Sequence, residues 1–588
     1  MRGERFFIAS AVVIGGCFPG PLELDSEVQD SLSTSEVTDI HPGDTGDTVA
    51  DVSALDVDST LNADTSEEVG VTDSSGEVDA ASTSDSESDV PTCEVTSADE
   101  LCNGIDDNCN DLVDEGFGNI DGDDMADCVD PDDDDDLLND EVDPDPRVAY
   151  TFDCGAEALV GTHRGCVFWS VDAPAVGLSN PESGLRAKPH VLAVINDGPA
   201  NVDVQIASLT TSVPTRTVGP LSFELIEMPV VPQTSTGVAN TPFRVVADAP
   251  ISVVQMNPYN PGGLTDATVL LPEHTLGTDH VVASWDTAFF QTGFMTVVAT
   301  QNETLVTIKP RVDVPSGPGV DLIVANQTGE VALEMGQSLT VYFESEDFES
   351  GDPTGTQLSA NHPIAVFSGN ESVQIGGGCC SDRLETQLLP SSKASASEFH
   401  LVPTKPRANG SQDFWRIVAY EANTVVWTSP LRAGIHNERL AKPGDWLTLS
   451  GAEPTRVSAS HPIAVFQYLS DADPTDPEAP GELGGPALFQ VPPVAAYGGS
   501  QHVLAFEGYE NHVTVIRPTG SPVSIDGETI PPESFVAITP SSPDWEYAWV
   551  DLAPGLHLVR SSAPIGLAVH GYGTRTAYAM WAGFGPGP

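Results

Sequence analysis

The chain has 588 residues, of which 88 are acidic and 22 are basic, so its formal net charge at pH 7 is -66. This charge argues against DNA, RNA and anionic membrane surfaces as partners, because proteins contact those through clustered Lys and Arg. A hydrophobic content of 40% still allows a sizeable buried core. The composition favours a partly globular acidic protein whose partners are divalent cations or basic proteins.

The first residues predict export. A short start with two Arg precedes an apolar run that is too short to span a bilayer, and small residues follow it. The string IGGC at residues 14–17 resembles a bacterial lipobox. The resemblance implies a signal peptide over residues 1–17 and a lipid on Cys17. An ordinary signal peptide is the alternative. The expected location is therefore secreted, as a lipoprotein of the bacterial outer membrane or cell surface, with the lipid as its only membrane contact.

Cysteine parity agrees with this interpretation. Nine cysteines are an odd number for an exported protein, and lipid on Cys17 would leave eight to form four disulfides in an oxidising compartment. The sequence does not determine the connectivity; proximity alone favours two local pairs, Cys102 with Cys109 and Cys154 with Cys166.

The acidic charge is concentrated near the N-terminus. Residues 21–146 contain 42 acidic residues and neither Lys nor Arg, so a change of character is predicted near residue 147. Residues 18–92 are rich in Ser, Thr, Asp and Glu and nearly devoid of aromatics. Low hydrophobicity with high net charge predicts a disordered acidic linker for this stretch.

Residues 93–146 combine acid with cysteines, and alternating oxygen ligands predict that they bind calcium. The string CEVTSADELCNGIDDNCNDLVDEG resembles the MopE-type metal-binding repeat. Every second residue of a tight calcium loop points at one centre, and hard oxygen ligands favour Ca²⁺ over softer metals. With the carbonyl of Leu112, the predicted ligands of this loop are Asp106, Asn108, Asn110 and Asp114.

The next string, NIDGDDMADCVDPDDDDDLLNDEVD, resembles the calcium repeats of thrombospondin type 3. Two further loops follow from it, both lacking Gly at the sharp sixth position, where Asp124 and Leu137 stand. A solvated acidic run that binds cations diffusely is the alternative. One loop is predicted to use Asn119, Asp121, Asp123, Asp127 and Asp130, with the Met125 carbonyl. The other is predicted to use Asp132, Asp134, Asp136, Asp140 and Asp143, with the Leu138 carbonyl.

From residue 147 onward, short apolar runs broken by Gly, Pro and Asn predict an all-β fold. The strings DAPISVVQM, NHPIAVFSG, SHPIAVFQY and SAPIGLAVH recur at a spacing near 100 residues. A second motif recurs in phase with these strings, as ATVLLP, ETQLLP and ALFQVP. A third recurring pattern, two strands with a turn between them, predicts a hairpin. Four tandem β repeats of about 100 residues are predicted, sandwich-like or, alternatively, arranged as propeller blades.

Several of these strings carry a resemblance to a known family. GCVFWSVDAP at residues 165–174, CCSDRLETQLLP at 379–390 and APGLHLVRSSAPIGLAVHGYG at 553–573 are similar to the N-terminal domain of IgGFc-binding proteins. The resemblance covers residues 150–580 and implies an extracellular β-rich binding module, known from mucus-associated animal proteins and bacterial surface proteins. Arg383 stands where that family more usually has His, and no site residue is transferred.

The predicted function is therefore an exported, lipid-anchored binding or adhesion protein with a calcium-stabilised stalk and an extracellular protein or glycan as ligand. No catalytic motif is found, and no enzyme activity is predicted. A secreted hydrolase without a motif and a structural coat protein are the alternatives. Polar loops are expected to choose the ligand, and the last of them is expected to be replaceable without loss of stability. These loops are Pro258–Thr265, Glu344–Thr356, Gly376–Asp382 and Asp471–Gly485.

Overall fold

A computed structural model describes most of residues 100–585, all of which lie in a unit that runs from Val95 to Pro588. The predictions for Cys17, the signal peptide and the linker therefore lie outside the described residues. The ranges within 100–585 that are not described are 121–124, 134–139, 141–146, 148–152, 156–157, 159–161, 175–187, 232, 261–262, 287–291, 344–350, 378–380, 408–411, 472–482 and 540–543.

The all-β prediction is confirmed: strands dominate the described chain. The first group of strands is β1 (Gly165–Ser170), β2 (Val191–Asn196), β3 (Val202–Ala207), β4 (Ser212–Val218), β5 (Ser222–Glu227), β6 (Gly237–Ala239), β7 (Phe243–Met256) and β8 (Ala267–Val269). The second group is β9 (Gly277–Val281), β10 (Gly293–Ala299), β11 (Thr304–Lys309), β12 (Gly329–Leu333), β13 (Ser338–Phe343), β14 (Gln357–Val373) and β15 (Asp382–Gln387).

Two more groups follow along the chain. The third group is β16 (Ala396–Leu401), β17 (Asp413–Ala419), β18 (Thr424–Ser429), β19 (Glu438–Leu440), β20 (Trp446–Gly451), β21 (Thr455–Leu469) and β22 (Ala487–Val491). The fourth group is β23 (Gln501–Ala505), β24 (Glu510–Pro518), β25 (Val523–Ile525), β26 (Glu528–Thr529), β27 (Val536–Ala537), β28 (Trp545–Leu552), β29 (Gly555–Ser561), β30 (Gly566–Gly573) and β31 (Thr576–Trp581). Short helical turns occupy Glu273–Thr275, Ser391–Ala394, Val494–Ala496 and Pro532–Ser534.

One long strand organises each of the first three groups. In the first group, β3 and β1 pair with the N-terminal half of β7, whereas β2 and β8 pair with its C-terminal half. The strands around β14 and β21 pair in the same way. In the fourth group, the separate strands β29 and β30 take these partners.

The predicted hairpins are wrong in one respect. In the first three groups, the two strands on either side of the turn, such as β2 and β3, do not pair with each other in the described sheets; both pair with the long strand that lies between them. In the fourth group, β23 pairs with β29 and β24 pairs with β30. Consecutive strands thus pair with different halves of the long strand, or with the two strands that replace it. A local pattern of two strands and a turn does not distinguish this arrangement from a hairpin.

The recurring prolines mark the change of pairing partners along each long strand. Pro250, Pro363 and Pro462 lie inside β7, β14 and β21 rather than at a strand start. The pairing register shifts beside each of them, as where Val167 faces Val246 while Gly165 faces Ile251. Proline cannot donate to the ladder and is tolerated at such bulges.

In the first group, the core lies between the strands that pair with the two halves of β7. Phe168 of β1 and Val204 of β3 join Leu192 of β2 in one buried cluster. On the opposite face of β2, Ala193 and Ile195 pack with residues of the fourth group. Both faces of β2 are therefore covered, which explains its continuous apolar sequence.

The disulfide predictions have mixed outcomes. Cys154 bonds Cys166, as predicted. Cys102 bonds Cys128, with Cα atoms 6.2 Å apart, so the predicted pair with Cys109 is wrong; Cys109 is itself disulfide-bonded. The chain folds back, with Asp127 N–H donating to the Gly118 carbonyl at 2.9 Å, and this brings Cys128 to Cys102. No helix among the described residues is long and apolar enough to cross a membrane.

Candidate binding site

Four short strands in the described part of the chain contact one another in a closed cycle: β8 contacts β15, β15 contacts β22, β22 contacts β31, and β31 contacts β8. We call these four strands the inner ring. In the described chain, β8, β15, β22 and β31 form backbone hydrogen bonds with β7, β14, β21 and β30 respectively. The other edge of each inner strand therefore faces the next strand of the ring. Buried edge N–H groups need acceptors. Side chains provide them.

Asp266, directly before β8, is the main acceptor of the ring. Its Oδ2 accepts the backbone N–H groups of Glu385 at 3.0 Å and Leu488 at 2.9 Å. Its Oδ1 accepts those of Ala267 at 2.9 Å and Ala579 at 3.4 Å. Burial raises the pKa of this carboxyl well above its usual range, while the N–H groups act in the opposite direction. One fully buried side chain therefore connects all four inner strands.

Asp382 performs a similar role where the inner strands begin. Its Oδ1 accepts the N–H groups of Thr265 at 2.9 Å and Arg383 at 2.8 Å, and its Oδ2 accepts that of Ala577 at 3.0 Å. A Cβ on Gly485 would lie 2.7 Å from Asp382 Oδ2, so this close approach requires glycine. We call this N-terminal end of the inner ring the Asp382 end.

Three of the four loops predicted to bind ligand meet at the Asp382 end. Pro258–Thr265 leads into β8, Gly376–Asp382 leads into β15, and Asp471–Gly485 leads into β22. The β30–β31 turn joins them, because Leu483 forms an isolated bridge with Thr574. The contacts of Asp382 bring together the described ends of these loops, which are far apart in sequence.

The ends of the last of these loops are structural. Asp471 Oδ1 accepts Ile375 N–H at 2.6 Å, and Gly484 N–H donates to the Gly573 carbonyl at 2.8 Å. Arg407 Nη2 donates to the Ser470 carbonyl at 2.9 Å. Replacing the whole of Asp471–Gly485 would remove the Asp471 carboxylate contact, so we expect this exchange to lower stability, contrary to the expectation from the sequence.

The fourth predicted loop, Glu344–Thr356, packs elsewhere. Of its described residues, Asp352 lies 2.5 Å from Arg416 Nη1, and Thr354 Oγ1 accepts a hydrogen bond from the same nitrogen at 2.6 Å. The Arg416 guanidinium also lies 4.3 Å from the centre of the Trp285 ring. These contacts join the second group to β17 of the third, so this part of the loop has a packing role.

A buried polar chain starts within β15. Arg383 Nη2 lies 2.7 Å from Glu385 Oε2, and both side chains are at most 1% exposed. Gln255 Nε2 donates to Glu385 Oε1 at 2.5 Å, and Ser170 Oγ, which lies 2.9 Å from His190 Nε2, donates to Gln255 Oε1 at 2.8 Å. Burial raises the pKa of Glu385, and the positive charge of Arg383 acts in the opposite direction. Burial lowers the pKa of His190 to about 3. Sequence reasoning missed this chain, since its members are separated by up to 215 residues and form no motif.

Three of the four strands of the inner ring lie within a segment that has known relatives, together with Asp266 and Asp382. A sequence profile described as IgGFc binding protein matches residues 266–571, just over half of the chain. The chain belongs to the IgGFc-binding protein family. The matched segment begins at Asp266, the main acceptor of the ring, and includes Asp382. No curated protein matches the chain.

In this member of the IgGFc-binding protein family, acidic side chains of the first predicted calcium loop accept hydrogen bonds from the loop itself. Asp106 accepts the N–H groups of residues 110 and 111, and Asp114 accepts those of residues 103 and 104. The side-chain amides of Asn108 and Asn110 both donate to Glu115 Oε1, at 2.8 and 2.5 Å. Sequence reasoning did not select Glu115. The carboxylates of this turn thus accept protein N–H groups in the structure.

The structure describes the other two predicted calcium loops only in part. Asp127 Oδ1 accepts Ile120 N–H at 2.9 Å, and Asp140 Oδ1 accepts Asp133 N–H at 3.0 Å. Burial and nearby carboxylates raise the pKa of Asp133 to about 6, although sequence reasoning did not choose this residue. Asn119, Asp130 and Asp132 are described without forming a metal cage. The residues outside the described ranges are Asp121, Asp123, Asp134, Asp136 and Asp143.

No group of three His, Cys, Asp or Glu side chains that could hold a metal ion is present among the described residues. Calcium binding by the IgGFc-binding family chain therefore stays a prediction based on the sequence.

The buried carboxyl of Asp382 predicts a pH dependence of stability. Burial raises its pKa to about 8, above about 3.9 in the unfolded chain. The folded state therefore holds this proton more tightly, and the contribution is lost as pH rises through 8. Between pH 6.5 and 8.5, the free energy of unfolding should fall by about 2 kcal/mol less in Asp382→Asn than in the wild type. Urea unfolding of both proteins at both pH values measures this, and equal pH dependence would contradict it.

Proposed function

We propose that this chain is an exported surface binding protein that captures an extracellular protein or glycan through the loops at the Asp382 end. The family supports a surface or secreted binding role. The convergence of three polar loops on one end of the inner ring is the observation that carries the proposal. Loops fixed on a rigid β scaffold are where recognition usually occurs.

The ring makes the loop ends rigid. Asp266 and Asp382 together accept seven backbone N–H groups, and the loops leave from the residues that donate them or lie beside them. Little conformational entropy is then lost at the loop ends when a ligand binds. The family description names the Fc part of IgG, which is therefore one probe for the ligand among other extracellular proteins and polysaccharides.

The N-terminal part of the proposal rests on the sequence. We propose a lipid on Cys17, an acidic tether over residues 18–92 and a calcium-stabilised stalk over residues 93–146. The IGGC string and the odd number of cysteines support the lipid. Mass spectrometry of membrane-extracted protein should find acylated Cys17 as the first residue, and a soluble product that starts elsewhere would contradict it.

The loop between Asp471 and Leu483 provides the test of ligand capture. We expect replacement of residues 473–481 by a Gly-Ser segment of equal length to abolish capture while changing the free energy of unfolding by less than about 0.5 kcal/mol, because Asp471 and Leu483 keep their contacts. Capture by the full chain is measured against IgG Fc and a panel of extracellular glycoproteins and polysaccharides. The matched control is a Gly-Ser replacement of residues 345–350, in the loop that packs on β17. Equal loss of capture in both variants, or in neither, would contradict the proposal.

Calcium removal tests the stalk. We expect Asp121→Ala with Asp123→Ala to remove one saturable calcium-binding event, since two of the five predicted side-chain ligands of that loop are lost. Titration calorimetry of the full chain at physiological salt measures the number of sites. Asp56→Ala with Asp58→Ala is the control, because these residues have the same spacing in the linker. Absence of saturable binding in the wild type, or equal losses in both variants, would show that calcium is bound only diffusely.

No feature of the described residues favours the hydrolase alternative. His512 Nδ1 lies 2.8 Å from Asp551 Oδ1, but Asp551 is also ion-paired with Lys405, and these contacts lower the pKa of its carboxyl. Burial lowers the pKa of His512. Asp551 therefore forms an ion pair with Lys405 and a hydrogen bond with the His512 ring. The coat-protein alternative differs in having no ligand, so failure of capture with the whole panel would favour it.

A further inference from the structure

The inner ring has a cavity at the end opposite to Asp382. Its volume is about 40 Å³, and its lining comes from all four inner strands and the residues that follow them. A volume of this size accommodates a monatomic ion or one to two water molecules. It is too small for a sugar or a side chain.

Two residues that line the cavity each have a buried side-chain donor without a hydrogen-bond partner among the described residues. They are Nε2 of Gln387, a side chain that is 4% exposed, and Nε1 of Trp581, which is 9% exposed. Gln387 Oε1 accepts Leu271 N–H at 2.8 Å, which fixes the orientation of the amide and identifies Nε2 as the donor. A buried donor without a partner costs about 1–3 kcal/mol, so the site favours an occupant that accepts hydrogen bonds.

We propose that this cavity binds a small monatomic anion such as chloride. Among the described lining residues, the two buried side-chain polar atoms without a partner are both N–H donors, and the lining contains no carboxylate. An anion needs donors alone, whereas a water molecule would bring two hydrogens that also need acceptors. The Lys393 ammonium lies 5.8 Å from the centre of the Phe584 ring, which lines the cavity, so a positive charge is close to the site. This proposal is independent of ligand capture at the Asp382 end.

The test uses chloride itself as the probe on the full chain. We expect the melting temperature to rise saturably by a few degrees when sodium chloride replaces sodium gluconate at constant ionic strength, because an ion that binds only the folded state stabilises it. Gluconate is too large for the cavity. The ³⁵Cl NMR line should broaden in the presence of the protein and sharpen when bromide is added.

Gln387→Glu should abolish both responses, because it keeps an oxygen for Leu271 N–H and replaces the donor by a negative oxygen. Gln501→Glu is the matched control, since Gln501 Nε2 is also buried without a partner among the described residues but does not line the cavity. If Gln387→Glu fails to fold, the wild-type NMR signal and its competition with bromide decide the matter. Lack of a chloride-specific response in the wild type, or equal responses in wild type and Gln387→Glu, would overturn the proposal.

Discussion

Replacement of Asp266 by Ala is expected to lower the free energy of unfolding by about 3 kcal/mol or more. The carboxylate accepts three backbone N–H groups at 2.9–3.0 Å and a fourth at 3.4 Å, and all of them are buried with it. Each N–H left without an acceptor costs at least about 1 kcal/mol. Because the donors belong to four strands, we expect the transition to lose cooperativity as well.

Denaturant unfolding of the full chain, followed by tryptophan fluorescence, measures the Asp266→Ala effect. Asp279→Ala is the control, because Asp279 is an exposed residue of β9 whose carboxylate accepts a hydrogen bond from the adjacent Thr278 hydroxyl. A difference of less than about 1 kcal/mol between the two variants would contradict the role assigned to Asp266.

Arg383→Met is expected to cost about 3–5 kcal/mol, because it leaves the Glu385 carboxylate buried without its cation. Adding Glu385→Gln to this variant should recover a large part of the loss. The amide oxygen of Gln would still accept the hydrogen bond from Gln255, and no buried charge would remain. The double variant is therefore expected to be more stable than the single variant.

A double-mutant cycle of Arg383→Met and Glu385→Gln, measured by urea unfolding at pH 7, tests this expectation. Burial already raises the pKa of Glu385, so a protonated Glu385 in the Arg383→Met variant would absorb part of the cost. The loss should then shrink as pH is lowered from 7 to 5. Additive effects of the two substitutions would contradict the assignment of a coupled pair.

The strands of the inner ring were largely predictable from the sequence. Three of these strands lie in apolar runs that end in proline. The run ATVLLP contains β8, ETQLLP contains the last three residues of β15, and ALFQVP contains β22. Their partners were not predictable. Two strands joined by a turn have the same local pattern whether they pair with each other or with a long strand between them, and this ambiguity produced the incorrect hairpins.

The acceptors of the ring could not be found from local pattern. Asp266 and Asp382 each stand beside a turn-like segment, where an acidic residue is ordinarily solvated. Their contacts cross up to 313 residues, from Asp266 to Ala579. The loops at the Asp382 end were selected for their polar composition, and three of them converge because each leads into an inner strand. The pairing of Cys102 with Cys128 was missed for the same reason: the fold-back that joins them is not a local signal.

Hydroxyl-radical footprinting of the full chain, with and without the member of the ligand panel that binds it in the capture assay, tests the proposed binding site most directly. We predict protection of residues 258–265, 376–382 and 472–482 and of Arg575 in the β30–β31 turn. The outer strands β4, β12 and β19 should keep their reactivity. Protection confined to these outer strands, with the loops at the Asp382 end unchanged, would contradict the proposed site.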